Sequence, residues 1–165
     1  MRNTLKDDFL RLLNHYQGNL LKLCLLYTDR QPDNVSDLFQ EIVANLWEAF
    51  PRFRGDSKPS TWLYRVAINT AFMRQRSERR MPRFMSLDDS VFNAIANPEE
   101  DKLLERLYQL IDRLDEEERS LIFLYIDNMP MRDIALIFKT NENTIKQRIK
   151  HLKQKLKKMN DDEQQ

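Results

Sequence analysis

Only two glycines, Gly18 and Gly55, occur in 165 residues, and that scarcity narrows what the chain can build. Tight hairpins draw on glycine for positive backbone angles, so a fold of many short strands would lack its turns. The apolar residues recur instead at helical spacings. Phe9, Leu12, Leu13, Tyr16, Leu20, Leu23, Cys24 and Tyr27 trace one such stripe, with Gly18 as an expected kink or break. A second helix is predicted from near Asp33 through Leu38, Ile42, Leu46 and Trp47, stopping before Pro51. A third is predicted from Pro59, a residue suited to a first helical turn, through Arg76.

Periodicity lapses from Met81 to Pro98, where Pro82, Asp88-Asp89 and Asn97-Pro98 read as a linker with room for one short helical turn. Beyond it, Leu103, Leu104, Leu107, Leu110, Ile111 and Leu114 form one apolar stripe. Asp115 followed by Glu118 has the form of a capping box, opening a helix with Leu121, Ile122, Leu124 and Tyr125. Ile134, Ala135, Ile137 and Phe138 make a short helix, Asn141 is an N-cap, and Ile145, Ile149, Leu152 and Leu156 carry the next core stripe. The expected fold is therefore all-α. It has two helical domains, 1–80 and 101–165, joined by a flexible linker at 81–100, and the second ends in a helix-turn-helix.

Composition excludes several classes of function. The single cysteine, Cys24, lies among leucines, so disulfides and cysteine metal sites are ruled out and a buried thiol is expected. No segment is apolar enough to span a bilayer and the N-terminus lacks a signal-peptide core, so a cytoplasmic protein without membrane insertion is expected. Glu116, Glu117 and Glu118 are consecutive at a helix start, where they favour the dipole and point in different directions. His15 and His151 have no second ligand at metal spacing, and no glycine-rich loop cradles a phosphate. Neither an enzyme nor a cofactor is expected.

The net charge is only +1, but the charges are not mixed evenly. From Phe72 to Arg83 five arginines oppose Glu78 alone, and from Lys139 to Lys158 eight basic residues oppose Glu142 alone. Two such patches suit a polyanion. In the C-terminal patch, small Ala135 permits a close helix crossing, and the following helix alternates core residues with Lys146, Gln147, Arg148, Lys150 and Lys153. Its N-terminal half, from Asn143 and Thr144 to His151, suits the major groove, where Lys, Arg and Gln read base edges. In the other patch, Phe53 to Ser60 reads as a loop, with Gly55 for the turn and Asp56 and Ser57 as hydrogen-bonding groups. Trp62, Tyr64 and Arg65 follow on a basic helix. Rings and charge beside an exposed loop suit a single strand, whose bases stack or leave the duplex. The plainer reading makes Trp62 a packing residue.

Three segments carry a family resemblance: DLFQEIVANLW (Asp37 to Trp47), FRGDSKPSTWLYRVAIN (Phe53 to Asn69), and LDEEERSLIFLYIDNMPMRDIA with NENTIKQRIKHLKQKL (Leu114 to Leu156). Together they resemble the ECF-type sigma factors of bacterial RNA polymerase. The resemblance implies a first domain that binds the polymerase clamp and melts the minus-ten element, and a second that reads the minus-35 element. It implies polymerase binding by Asp37, Gln40, Glu41 and Asn45. It implies melting and strand capture by Phe53, Arg54, Gly55, Asp56, Ser57, Lys58, Ser60, Trp62, Arg65, Asn69, Arg74 and Arg76. It assigns duplex reading to Asn143, Thr144, Lys146, Gln147, Arg148, Lys150 and His151. Core RNA polymerase, promoter DNA as duplex and as melted strand, and an anti-sigma factor are the implied partners. The chain departs from the family pattern at Pro59, where an aromatic is common, at Lys139 and Thr140, where glycine and an aliphatic residue are common, and at Pro130, where serine often caps. The competing reading is a helix-turn-helix regulator that acts on duplex DNA without core polymerase.

Overall fold

The computed structural model describes residues 2–78 and 98–165. Among them it has seven α-helices, one 3-10 turn and no strand, divided into two compact units. The first holds α1 (Arg2–Leu26), α2 (Pro32–Ala49), the 3-10 turn Phe50–Arg52, and α3 (Pro59–Glu78). The second holds α4 (Pro98–Asp112), α5 (Glu116–Ile126), α6 (Met131–Ile137) and α7 (Glu142–Glu163). Residues 81–97 of the expected linker lie outside the described residues, and 98–100 belong to the first turn of α4.

In the first unit, α2 carries its buried stripe on Val35, Leu38, Ile42 and Leu46. Against it pack Leu63, Ala67, Ile68 and Ala71 of α3 and Leu20, Leu23 and Cys24 of α1, all buried. The alanines bring the α2 and α3 backbones close, and burial of this apolar surface drives the assembly. Two polar groups inside are paired: Asn19 Nδ2 donates to the Tyr64 hydroxyl at 2.8 Å, and the Thr70 hydroxyl donates to the Val66 carbonyl at 2.8 Å. Burial pushes the Cys24 thiol up to about 12, despite the opposing field of Arg74, so it stays protonated and inert near neutral pH.

The expected break at Gly18 does not occur. Helix α1 runs through it without interruption, because Phe9 before it and Leu20 and Leu23 after it are buried and one glycine costs too little to overcome that packing.

In the second unit the capping box is present: Glu118 N–H donates to Asp115 Oδ1 at 2.8 Å, and Asp115 N–H donates to Glu118 Oε2 at 3.1 Å. Arg119 Nη2 and Nε donate to the carbonyls of Asp112 and Leu114, tying the end of α4 to the start of α5. Leu110, Ile111, Leu114, Leu121, Ile122, Leu124, Ile134, Ile145, Ile149 and Leu152 form the core. The N-terminal part of the expected α4 stripe does not join it. Leu103 is 71% exposed, and Leu104 and Leu107 are also exposed. Helix α4 is tied to α7 by Arg106, whose Nε donates to Asn160 Oδ1 at 2.7 Å, and just past its end Arg113 pairs with Glu163 at 2.6 Å.

Helices α5 and α6 end alike. Asn128 (φ 61°) and Lys139 (φ 53°) take the left-handed conformation just past each end. Met129 N–H then donates to the Leu124 carbonyl, and Thr140 N–H to that of Ala135. Asparagine tolerates this backbone, whereas lysine does so at a cost, which explains why glycine suits the position better.

Two stability changes follow. A Cβ at Gly18 would meet nothing within 4 Å, so Gly18→Ala should raise unfolding free energy by about 0.5–1 kcal/mol in urea denaturation. Lys139→Gly should raise it by roughly 1 kcal/mol through relief of the left-handed strain, less the entropy glycine adds to the unfolded chain. A loss of stability in either variant would contradict the corresponding geometry.

Candidate functional site

The first candidate surface begins where α2 stops. Pro51 cannot continue a helix, and the chain passes through the 3-10 turn into an extended Phe53. Gly55 (φ 79°) turns it back, with Arg54, Asp56 and Lys58 exposed and Ser57 and Ser60 half-buried. A side chain at Gly55 would have room but a strained backbone. Beneath this loop lies a run of rings. Phe9 meets Phe50 at 5.3 Å between centroids, Phe50 meets Trp62 at 6.0 Å, and Trp62 meets Phe53 at 4.9 Å. Trp62 therefore does both things weighed for it: it packs on one side and stays half-exposed on the other. Tyr64, the other ring expected near the loop, is buried and faces Asn19.

Along α3, the residues expected to meet DNA separate onto two sides. Asn69 and Arg76 are exposed, and Arg65 is half-buried with its Nε buried and lacking a protein partner. Arg74 lies on the opposite side. Its guanidinium is held against α2 by Glu41, with Nη1 to Oε2 at 3.3 Å. One turn earlier on the same side, the buried Thr70 hydroxyl accepts from Asn45 Nδ2 at 2.9 Å. The helical period places Arg74 with Thr70 rather than with Asn69, so it braces the helix pair.

On α2, Asp37, Gln40 and Glu41 are exposed, while Asn45 is half-buried and turned to α3. Beside Gln40 lies an apolar groove. Its walls are Phe9, Leu10 and Leu13 of α1 and Phe39, Val43 and Trp47 of α2, with Lys6 at its edge. Trp47 is 43% exposed and meets Phe9 edge-on at 5.0 Å.

In the second unit, the Asn141 side chain caps α7 by accepting from Thr144 N–H at 2.8 Å. Ile145, Ile149 and Leu152 face the core. The basic residues on the flanks of α7 are engaged by α5: Arg148 pairs with Glu117 at 2.7 Å, Lys155 with Glu118 at 2.9 Å, and Lys153 lies over the Tyr125 ring at 4.3 Å. Lys146 reaches Glu142 one turn back at 3.5 Å. Asn143, Gln147, Lys150, His151 and Gln154 are all exposed, opposite the core stripe. That face presents amide, ammonium and imidazole groups at the end of a helix preceded by a short turn, as base-edge reading requires.

Two family models match in the same order as the two units: sigma-70 region 2 over residues 12–81, and sigma-70 region 4 over residues 104–156. The ECF RNA polymerase sigma-E factor of Escherichia coli strain K12 is 32% identical over 152 residues, an alignment that spans 84% of this chain and 78% of that protein. The chain belongs to the ECF sigma factors. The RNA polymerase sigma-H factor of Pseudomonas aeruginosa PAO1 is 29% identical over 87% of this chain and 81% of its own length. A solved structure of the Bartonella quintana sigma factor RpoE, bound to the anti-sigma factor NepR, superimposes with a TM-score of 0.71 at 18% identity, covering 92% of this chain and 95% of that one. Like other sigma factors, this one is a promoter-specificity factor of RNA polymerase, built from regions 2 and 4.

In this sigma factor the expected residues fall into three surfaces, with three exceptions. Asn45 and Arg74 serve the α2–α3 contact, and Arg148 is held by Glu117 of α5. Phe39, Val43 and Trp47 were not among the expected residues, although their spacing of four forms a second apolar stripe beside Leu38, Ile42 and Leu46. Gln154 was also overlooked on α7. Since Glu41 and Arg74 are coupled, Glu41→Arg should destabilise the unit and Arg74→Glu should partly restore the double variant. A coupling of about 0.5–1 kcal/mol is expected in a double-mutant cycle by chemical denaturation, and additive effects would show that the pair contributes nothing.

Proposed function

We propose that the three surfaces divide the work of promoter recognition. The α1–α2 groove, with Gln40 at its rim and Asp37 and Glu41 beside it, takes up core RNA polymerase. The loop from Phe53 to Ser60, with Trp62, Arg65, Asn69 and Arg76, opens the duplex and holds one strand. The outward face of α7, from Asn143 and Thr144 through Lys146, Gln147, Lys150 and His151, reads the upstream element as intact duplex. Arg148, engaged by Glu117, contributes by fixing the attitude of α7. In this reading residues 1–80 act as the region 2 domain, 101–165 as the region 4 domain and 81–100 as their connection. The protein works in the cytoplasm, where its polymerase is, and has no catalytic centre of its own.

One observation carries the strand-holding role. The Phe53 and Trp62 rings sit beneath an exposed, glycine-turned loop, next to an arginine whose buried Nε has no protein partner. An unsatisfied buried donor costs about 1–3 kcal/mol, and a backbone phosphate would relieve that cost. Rings at the same place offer a face to an unpaired base. An anti-sigma factor is the further partner: the structurally similar Bartonella protein is seen bound to one, and the exposed leucines of α4 offer it apolar surface.

The test combines the purified chain with core RNA polymerase on promoter DNA, following duplex binding and the permanganate reactivity of opened thymines. Replacing Phe53 or Asp56 by alanine should reduce strand opening by about 1–3 kcal/mol, or roughly five- to 150-fold, with duplex binding retained. Gln147→Ala should weaken duplex binding and relax its sequence preference by about 1–3 kcal/mol. Loop variants that lose duplex binding yet open the remaining complexes normally would remove the strand-holding role.

A further inference from the structure

The start of α5 treats the two flanks of α7 unequally. The helical period places Arg148 and Lys155 on one flank of the buried stripe of α7, and Lys146 and Lys153 on the other. On the first flank both cations face carboxylates of another helix, Glu117 at 2.7 Å and Glu118 at 2.9 Å. On the second, Lys153 meets the neutral ring of Tyr125, and Lys146 reaches a carboxylate of its own helix, Glu142, at 3.5 Å. One flank of the reading helix is therefore electrically neutral, and the other keeps positive charge.

The difference matters because a helix seated in the major groove has a row of phosphates along each flank. A cation that reaches a phosphate releases counterions and strengthens binding to every sequence alike. Arg148 is the cation most readily exchanged. Its side chain is 44% exposed and that of Glu117 is 58% exposed, so the pair sits largely in water and gives way to another anion at little cost. Glu118 is less available, since it serves both the capping box and Lys155. Glu117 and DNA phosphate thus compete for one guanidinium. Held by Glu117, Arg148 braces α7 against α5; released, it becomes a contact blind to sequence.

We propose that Glu117 is a positioning residue that sets the specificity of duplex reading by withholding Arg148 from DNA phosphate, so that binding depends on the base edges met by Gln147 and Lys150. The proposal rests on the duplex-reading role given to α7 above. Removing the carboxylate has two effects. A duplex of any sequence gains a phosphate contact, while the preferred duplex also loses part of the bracing that aims the helix. The ratio of preferred to indifferent binding therefore falls, and that ratio, rather than affinity alone, selects a site among many competitors.

The experiment uses the full chain assembled with core RNA polymerase and two duplexes of equal length, one carrying the promoter's upstream element and one with that element scrambled. Affinity for each is followed over a range of salt concentrations. For Glu117→Gln on the scrambled duplex, the slope of log affinity against log salt should steepen by about 0.9, a gain of roughly eightfold at about 0.1 M salt that vanishes near about 1 M. The upstream duplex should gain less, so the preference for it should fall. The added slope should disappear in the double variant, Glu117→Gln with Arg148→Gln. Glu105→Gln makes the same change of net charge at an exposed site on α4 and should leave the slope as in wild type. A slope that steepens as much in Glu105→Gln as in Glu117→Gln would overturn the proposal, since net charge alone then accounts for the gain. Weaker binding of Glu117→Gln to the upstream duplex, with binding to the scrambled one unchanged, would also overturn it and leave the pair as a brace only. Failure of the wild-type complex to prefer the upstream element would instead overturn the duplex-reading role itself.

Discussion

The first unit depends on the close approach of α2 and α3, and the residues that make this approach leave each helix with a separate outward face. Leu38, Ile42 and Leu46 meet Ala67, Ile68 and Ala71, and small side chains on one partner let large ones on the other sink between them. Within that seam, Asn45 donates to Thr70 and Glu41 pairs with Arg74. The hydrogen bond is the more consequential of the two, because a buried hydroxyl without its donor is costly, whereas a partly solvated ion pair contributes little. Once the seam is set, Gln40, Val43 and Trp47 face one way and Asn69, Met73 and Arg76 another.

The aromatic run extends that seam to the loop. Phe9 touches both Trp47, in the groove, and Phe50, which leads through Trp62 to Phe53. Edge-to-face and tilted ring contacts have defined geometry, so the loop rests on a shaped floor despite its own lack of regular structure. Gly55 supplies the one backbone turn that the floor cannot impose.

In the second unit the acidic start of α5 does two jobs. Glu118 closes the capping box and also reaches Lys155, and Glu117 reaches Arg148. These contacts occupy the flanks of α7 and leave its outward face, centred on Gln147 and Lys150, in solvent. A patch of eight basic residues opposed by one acid in the sequence is thereby divided into residues that orient the helix and residues left in solvent.

Much of this was determined by the chain alone. Helical spacing, scarce glycine, the Asp115–Glu118 capping box and the Asn141 cap are local properties, expressed over three or four residues, and all appear in the structure. The order of the sequence segments likewise pointed to the family. What the chain could not specify was direction. Two arginines only two positions apart, Arg74 and Arg76, end on opposite sides of α3 because each residue turns the helix by about 100° and the buried seam sets the zero of that rotation. The same reason hid the groove, since a stripe of Phe39, Val43 and Trp47 has the spacing of a core face and only the packing of α1 leaves it partly uncovered. It also explains α4, where Leu103, Leu104 and Leu107 have the period of a core stripe but remain exposed. Periodicity reports that a face is apolar; only the packing of neighbouring helices decides which part of that face is covered.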